Sequence, residues 1–122
     1  MVKKYLILDV ESSTKNKGNP FTPENKLCMV SWATPDAQGY EVIDYGDEPY
    51  SKAIERIQRL VDDADLLVGF NFKFDLHWLR RYNINFASKR IWCCQLVEFY
   101  LDCQRTSYPS LDGCLAKYHL GS

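Results

Sequence analysis

Two carboxylates, Asp9 and Glu11, stand one residue apart near the end of the stretch YLILDVESS (5–13), directly after an apolar run. On a strand, residues i and i+2 share a face, so both acids project together. Like charges held that close raise one another's proton affinity unless a cation intervenes. A hard divalent ion takes oxygen ligands of this kind and relieves the repulsion. The plain alternative is a strand end turning out into solvent. A third acid, Asp75, stands in GFNFKFD (69–75), where an apolar run gives way to a helix. The helix dipole favours a carboxylate in the first turns. Asp75 also lies four residues before Leu79, at the edge of the apolar stripe, and an unsatisfied acid leaning toward a core is costly. A metal shared with Asp9 and Glu11 would satisfy it.

Several elements must bring these residues together. Residues 4–10 read as a continuous apolar strand buried on both faces at the centre of a sheet. The polar segment SSTKNKGNPFTPENK (12–26) reads as a long loop. LCMVSWAT (27–34) and YEVIDY (40–45) read as strands joined by a PDAQG hairpin. After Tyr50 the period turns helical, with Ile54, Ile57, Leu60 and Val61 on one stripe. Residues 65–71 predict a buried strand, 72–82 a helix with Phe72, Leu76 and Leu79 inward, and 89–93 a short fifth strand. Leu96, Phe99, Tyr100 and Cys103 mark the next helix. In YPSLDGCLAKYHLGS, Ser110 suits an N-cap, Leu111, Leu115 and Tyr118 form a stripe, and Gly121 suits the stop. Three antiparallel strands continued by βα units make an α/β fold, a mixed sheet with helices on its faces, in the ribonuclease H-like order.

At 122 residues the chain is expected to be a single domain, 1–122, with a core of its own. A net charge of −1 excludes a global pull on nucleic acid or acidic membranes, so a polyanion must be held by a local patch or by metal ions. Five cysteines, odd in number and without a CxxC pair, point to reduced thiols in the cytoplasm. No stretch has signal or membrane-span length, so a soluble, intracellular protein is expected.

Taken together, the motifs carry a family resemblance. DVESS resembles the first motif, Asp-x-Glu-Thr/Ser, of the DEDD exonuclease superfamily. NFKFD resembles its second motif in the form found in proofreading domains of family A DNA polymerases. SYPSLDGCLAKYHLG is similar to the SLxxLAxxYLG helix that follows there, and KGNPFTPENKL to a loop of phage-encoded members. The resemblance implies 3'-5' exonuclease activity on single-stranded DNA 3' ends, with two Mg2+ or Mn2+ ions. It implies that Asp9 bridges both ions, Glu11 binds the one that activates water, and Asp75 binds the second. Ser12 would stand near the terminal nucleotide, and Asn71 and Lys73 would line the substrate cleft. One ion would activate water and the other would stabilise the leaving 3' oxygen.

The pattern also departs from the family. A fourth acid, in Tyr- or His-x-x-x-Asp, is expected downstream of the SLxxLAxxYLG segment, beyond Ser122. Tyr108 and Asp112 do spell Tyr-x-x-x-Asp, but inside the preceding motif, and Asp102 also comes too early. Cys93 stands where relatives often carry Asp at a structural position. Loss of a positioned base alone costs about 10²–10⁴-fold, so weak or absent activity is expected of the chain by itself. It would be a fragment, a split protein completed by a second polypeptide supplying C-terminal helices, or a remnant with another role. The alternative function is a catalytically inactive exonuclease fold that binds nucleic acid or a partner protein. Apolar surface left where such helices would pack predicts self-association.

Other residues carry weaker signals. His77 reads as a surface or partly packed histidine, and His119 as a complement to a helix dipole. Of Phe70, Phe72, Phe74 and Trp78, one at most is a base-stacking candidate. Lys15, Lys17 and Lys26 either steer phosphates or belong to a solvated loop, and Arg80–Arg81 and Lys89–Arg90 read as ordinary exposed pairs.

Overall fold

Strand alternation decides how the first element sits. In the computed structural model, which describes residues 4–44, 49–104 and 108–120, strand β1 (Tyr5–Ser12) buries Leu6, Leu8 and Val10. Tyr5, Ile7, Asp9 and Glu11 point the other way and remain exposed. The expectation of a strand buried on both faces is therefore corrected: an apolar run of four residues was enough to fill one face only, because Ile7 has no covering element opposite it.

The observed order follows the expected one. After β1 come β2 (Leu27–Ala33), β3 (Gln38–Val42), α1 (Ser51–Asp63), β4 (Leu66–Gly69), α2 (Phe72–Arg81), β5 (Arg90–Cys93), α3 (Cys94–Leu101) and α4 (Leu111–Lys117). The five strands form one sheet in the order β3-β2-β1-β4-β5. β1–β2 and β2–β3 are antiparallel, whereas β1–β4 and β4–β5 are parallel. This is the mixed sheet of the ribonuclease H-like pattern. Tyr45, expected to end the third strand, and Gly121, expected to stop the last helix, lie outside the described residues.

One face of the sheet carries the core. Leu6, Leu8, Val10, Leu27, Val30 and Leu67 pack there with Ala53, Ile57 and Val61 of α1 and Phe72, Trp78 and Leu79 of α2. Burial on this scale stabilises by about 25 cal/mol per Å² of apolar surface. Tyr82 ties the end of α2 to the meander: its hydroxyl donates to Asp44 Oδ2 at 3.0 Å and accepts from the Leu27 N–H at 3.1 Å.

The last two helices pack differently from expectation. Leu96, Tyr100 and Leu101 of α3 are exposed, and its one buried residue is Glu98. Glu98 accepts from Lys117 Nζ at 2.5 Å and from the Tyr118 hydroxyl at 2.7 Å, so a polar clasp joins α3 to the α4 segment. Those two donors hold the Glu98 carboxyl below its ordinary range. Ser110 does cap α4, accepting from the Gly113 N–H at 3.0 Å, but α4 buries none of its residues. The stripe of Leu111 and Tyr118 faces solvent. All five cysteines are free thiols.

Candidate active site

The acids flank a step in the sheet. β4 pairs with β1 only as far as Ile7↔Val68 and ends at Gly69, while β1 continues to Ser12. Asp9 and Glu11 thus extend past the end of the neighbouring strand. The chain turns sharply there into α2, which packs against β1. Gly69 permits that turn, since a Cβ on it would lie 2.2 Å from the Phe72 ring. Asn71 takes the left-handed conformation (φ 53°, ψ 48°) just before the helix, which Asn tolerates better than most residues. Its side chain makes no capping bond to α2. The Phe72 N–H instead reaches Cys93 Sγ at 3.5 Å, so the thiol stands as an acceptor at the start of the helix.

Asp75 projects from the first turn of α2 into the interior, where it is 4% exposed. Its Oδ2 is buried without a hydrogen-bond partner. Such an atom is rare in native structures and points to a missing ligand. Burial first, and the charge of Asp9 second, push the Asp75 carboxyl up from 3.8 to about 8. Asp9 is raised in turn, by burial and then by Glu11. The three acids therefore form an electrostatic chain, Glu11–Asp9–Asp75, joined through Asp9. An orphaned carboxylate oxygen beside a second carboxylate is the donor chemistry that a hard divalent cation satisfies. The residues fit such an ion in kind. Among the described residues, however, no three His, Cys, Asp or Glu side chains already stand together as a ready-made ion cage. Two of the acids reach solvent and one is sunk in the core, and mutual repulsion opposes closer approach.

The remaining expected site residues lie around this step. Ser12 follows a break in the β1–β2 register, and its hydroxyl donates to the Ser13 carbonyl at 3.0 Å. Asn71 and Lys73 are exposed beside the start of α2. Phe72 and Trp78 are fully buried, which removes them as base-stacking candidates, while Phe70 and Phe74 are half-buried. Asp102 belongs elsewhere, in the depression between α3 and α4.

The loop before β2 is more structured than its composition suggests. Asn16, Lys17 and Gly18 are left-handed in succession, with φ 50°, 59° and 77°. Gly18 O accepts from Trp78 Nε1 at 3.1 Å. Arg81 donates to the carbonyls of Pro20, Thr22 and Pro23, each at 3.1 Å. Asn25, fully buried, donates to Lys15 O and Asn19 O and accepts from Ser13 Oγ. A braced wall beside Ser12 therefore replaces the solvated loop that was the alternative for this segment, and Lys15 is paired with Glu24 rather than free. Arg81 had no motif to announce it beyond its place three residues after Trp78, on one side of the helix, and Asn25 lay in the KGNPFTPENKL stretch with no role assigned to it.

Comparisons with known proteins bear on the family and the fold. A sequence model of the family described as 3'-5' exonuclease matches residues 2–121. No curated protein matches. Among solved structures, one described as the apo form of a nuclease superposes with a TM-score of 0.63 at 17% identity, covering 94% of this chain. This chain spans 51% of that nuclease. A family B DNA polymerase from the hyperthermophilic archaeon Pyrobaculum calidifontis is also similar, at 18% identity and a TM-score of 0.49, over 68% of this chain and 12% of the polymerase. The nuclease likeness shows the shared fold.

Proposed function

The chain belongs to the 3'-5' exonuclease family, and on that footing we propose that it acts on single-stranded DNA 3' ends, releasing nucleoside 5'-monophosphates. The observation that carries the proposal is the orphaned Asp75 Oδ2 beside Asp9 at the step in the sheet. Asp9, Glu11 and Asp75 would hold two Mg2+ or Mn2+ ions. When bound, such ions polarise a phosphoryl oxygen and lower the proton affinity of an attacking water. Asp9 belongs to both halves of the electrostatic chain, which suits the shared ligand. Glu11, exposed near the end of β1, is open to water and substrate. Asn71, free of capping duty, offers an amide to the terminal nucleotide, while Lys73, on the side of α2 away from Asp75, offers a cation to a phosphate farther along the strand. Ser12 presents its hydroxyl against the braced loop.

Isothermal calorimetry with Mn2+ tests the metal assignment, and 5'-labelled single-stranded oligonucleotide tests the chemistry. A slow ladder shortening from the 3' end at high enzyme concentration, abolished by Asp9→Ala, is the expected result. Intact oligonucleotide at high enzyme concentration, with no heat of Mn2+ binding, would refute it. A second reading is favoured by one observation, that the three acids do not already form a cage among the described residues. On that reading the protein binds nucleic acid or a partner protein without cutting. Oligonucleotide retention without laddering would select it. A covering partner completes the proposal: a second polypeptide supplying helices, or another copy of the chain, over the exposed sheet face that bears Asp9 and Glu11.

A further inference from the structure

The outward side of α2 carries a second set of residues with a common chemistry. Lys73, His77 and Arg80 fall at i, i+4 and i+7, within about 60° of one another around the helix. They lie on the side away from Asp75 and together span about 10 Å. With Leu76 and Phe86 they line a depression of about 190 Å³. Among the described residues neither Lys73 nor Arg80 meets a carboxylate, unlike Lys4, Lys15, Arg56 and Lys117, each of which pairs with one. Aromatic rings adjoin the row. Arg80 sits 6.0 Å over the Phe86 ring. Phe21 meets His77 edge-on, with ring centres 5.2 Å apart.

Phe21 is the telling residue. It is 75% exposed, yet its loop is anchored on both sides by the Arg81 bonds to the Pro20, Thr22 and Pro23 carbonyls. Its own N–H donates to Asn19 Oδ1 at 2.8 Å. A phenyl ring presented to solvent from an anchored loop contributes little to folding but offers a flat stacking surface. In a chain of net charge −1, the uncompensated cations Lys73 and Arg80 beside an exposed ring form a local patch suited to a polyanion.

We infer that this face, Lys73–His77–Arg80 with Phe21 and Phe86, is a binding site for single-stranded polynucleotide, separate from the acids. Its cations meet phosphates and Phe21 stacks on a base. The row, about 10 Å long, meets only a few nucleotides of an extended strand. Because the row lies on the opposite side of α2 from Asp75, it holds nucleotides distant from the scissile bond, and it favours long strands over short ones. It rests on the nuclease reading only for the choice of polymer.

The test is fluorescence anisotropy of 5'-labelled oligothymidylates, twelve and three nucleotides long, on the full chain in EDTA. The wild-type chain should bind the twelve-mer more tightly than the three-mer. Phe21→Ala should weaken the twelve-mer about fivefold or more, and Arg80→Gln should reduce the salt slope by about 0.7, the share of one phosphate contact. Both side chains are exposed, so a thermal melt matching wild type confirms that the variants fold. Twelve-mer affinity and salt slope unchanged in both variants would overturn the site, as would equal wild-type affinity for the two lengths. Metal binding and laddering play no part in this readout. A chain that fails them but passes here loses the nuclease reading alone, and the converse loses only this site.

Discussion

Asp75 combines burial, a like-charged neighbour and an unpaired oxygen. Its carboxyl is raised in the folded state, so the native chain keeps a proton that the unfolded chain releases. Between about pH 4 and pH 8 the unfolded state binds fewer protons, and stability falls as pH rises, by at most ~1.4 kcal/mol per pH unit for this one group. Above about pH 8 the native carboxyl ionises as well and the fall levels off. Thermal melts of the metal-free chain across this range should show the decline. Asp75→Asn should flatten it, and Mn2+ at pH 8 should restore the wild-type midpoint; a flat wild-type profile in EDTA would remove the electrostatic basis of the site. Asn71 separates backbone from side-chain duty in the same region. Because its φ is 53°, Asn71→Gly should change stability by no more than about 1 kcal/mol. If the amide contacts substrate, oligonucleotide hydrolysis should fall at least tenfold in that variant. Unaltered hydrolysis would leave Asn71 only the turn.

The decisive element is the segment between β1 and β2, which acts as a wall because α2 reaches into it. Gly18 stands at φ 77°, and a Cβ there would lie 2.9 Å from Ser12 Oγ and 3.3 Å from Phe74 Cζ. Gly18→Ala should therefore cost about 1–3 kcal/mol, read as a lowered denaturant midpoint. Arg81→Ala removes three donors to loop carbonyls and should loosen the segment without melting the sheet. Hydrogen exchange should show faster amide exchange in residues 14–25, with the amides of β1 and β2 still protected. Equal protection of the loop in both proteins would mean that Asn25 and Trp78 hold it unaided. At this scale composition misleads: Gly, Pro, Asn and Lys are the residues of solvated loops and also those of tight left-handed turns. Only side chains arriving from another element tell the two apart.

The whole molecule presents an uncovered sheet. Register places Tyr5, Ile7, Tyr40, Val42 and Trp92 on the face opposite the core, all exposed, with half-buried Leu66 and Val68 between them. Parallel strands normally have both faces covered, and a contiguous apolar patch of this kind marks an interface. Sedimentation should show concentration-dependent association, and Ile7→Ser with Trp92→Ser should return the chain to monomer with its fold intact. A wild-type monomer at every concentration would leave this face to a second polypeptide. Among the described residues no helix is long and apolar enough to cross a membrane.

Local pattern determined much of this protein. Side-chain period two set Asp9 and Glu11 on one strand face, period 3.6 set the inward stripe of α1, and the change between periods marked nearly every element in order. The motifs DVESS and NFKFD carried the family that the 3'-5' exonuclease match bears out. What the chain order could not decide was which faces find partners. Ile7 and Leu8 are equally apolar, and one is exposed while the other is buried. Leu96 and Tyr100 form as regular a stripe as Ile57 and Val61, yet α3 is clasped by Glu98 instead. Periodicity shows which residues share a side, but burial depends on what the rest of the chain brings against that side. Only the folded arrangement sank Asp75 beside Asp9 and left its Oδ2 without a partner.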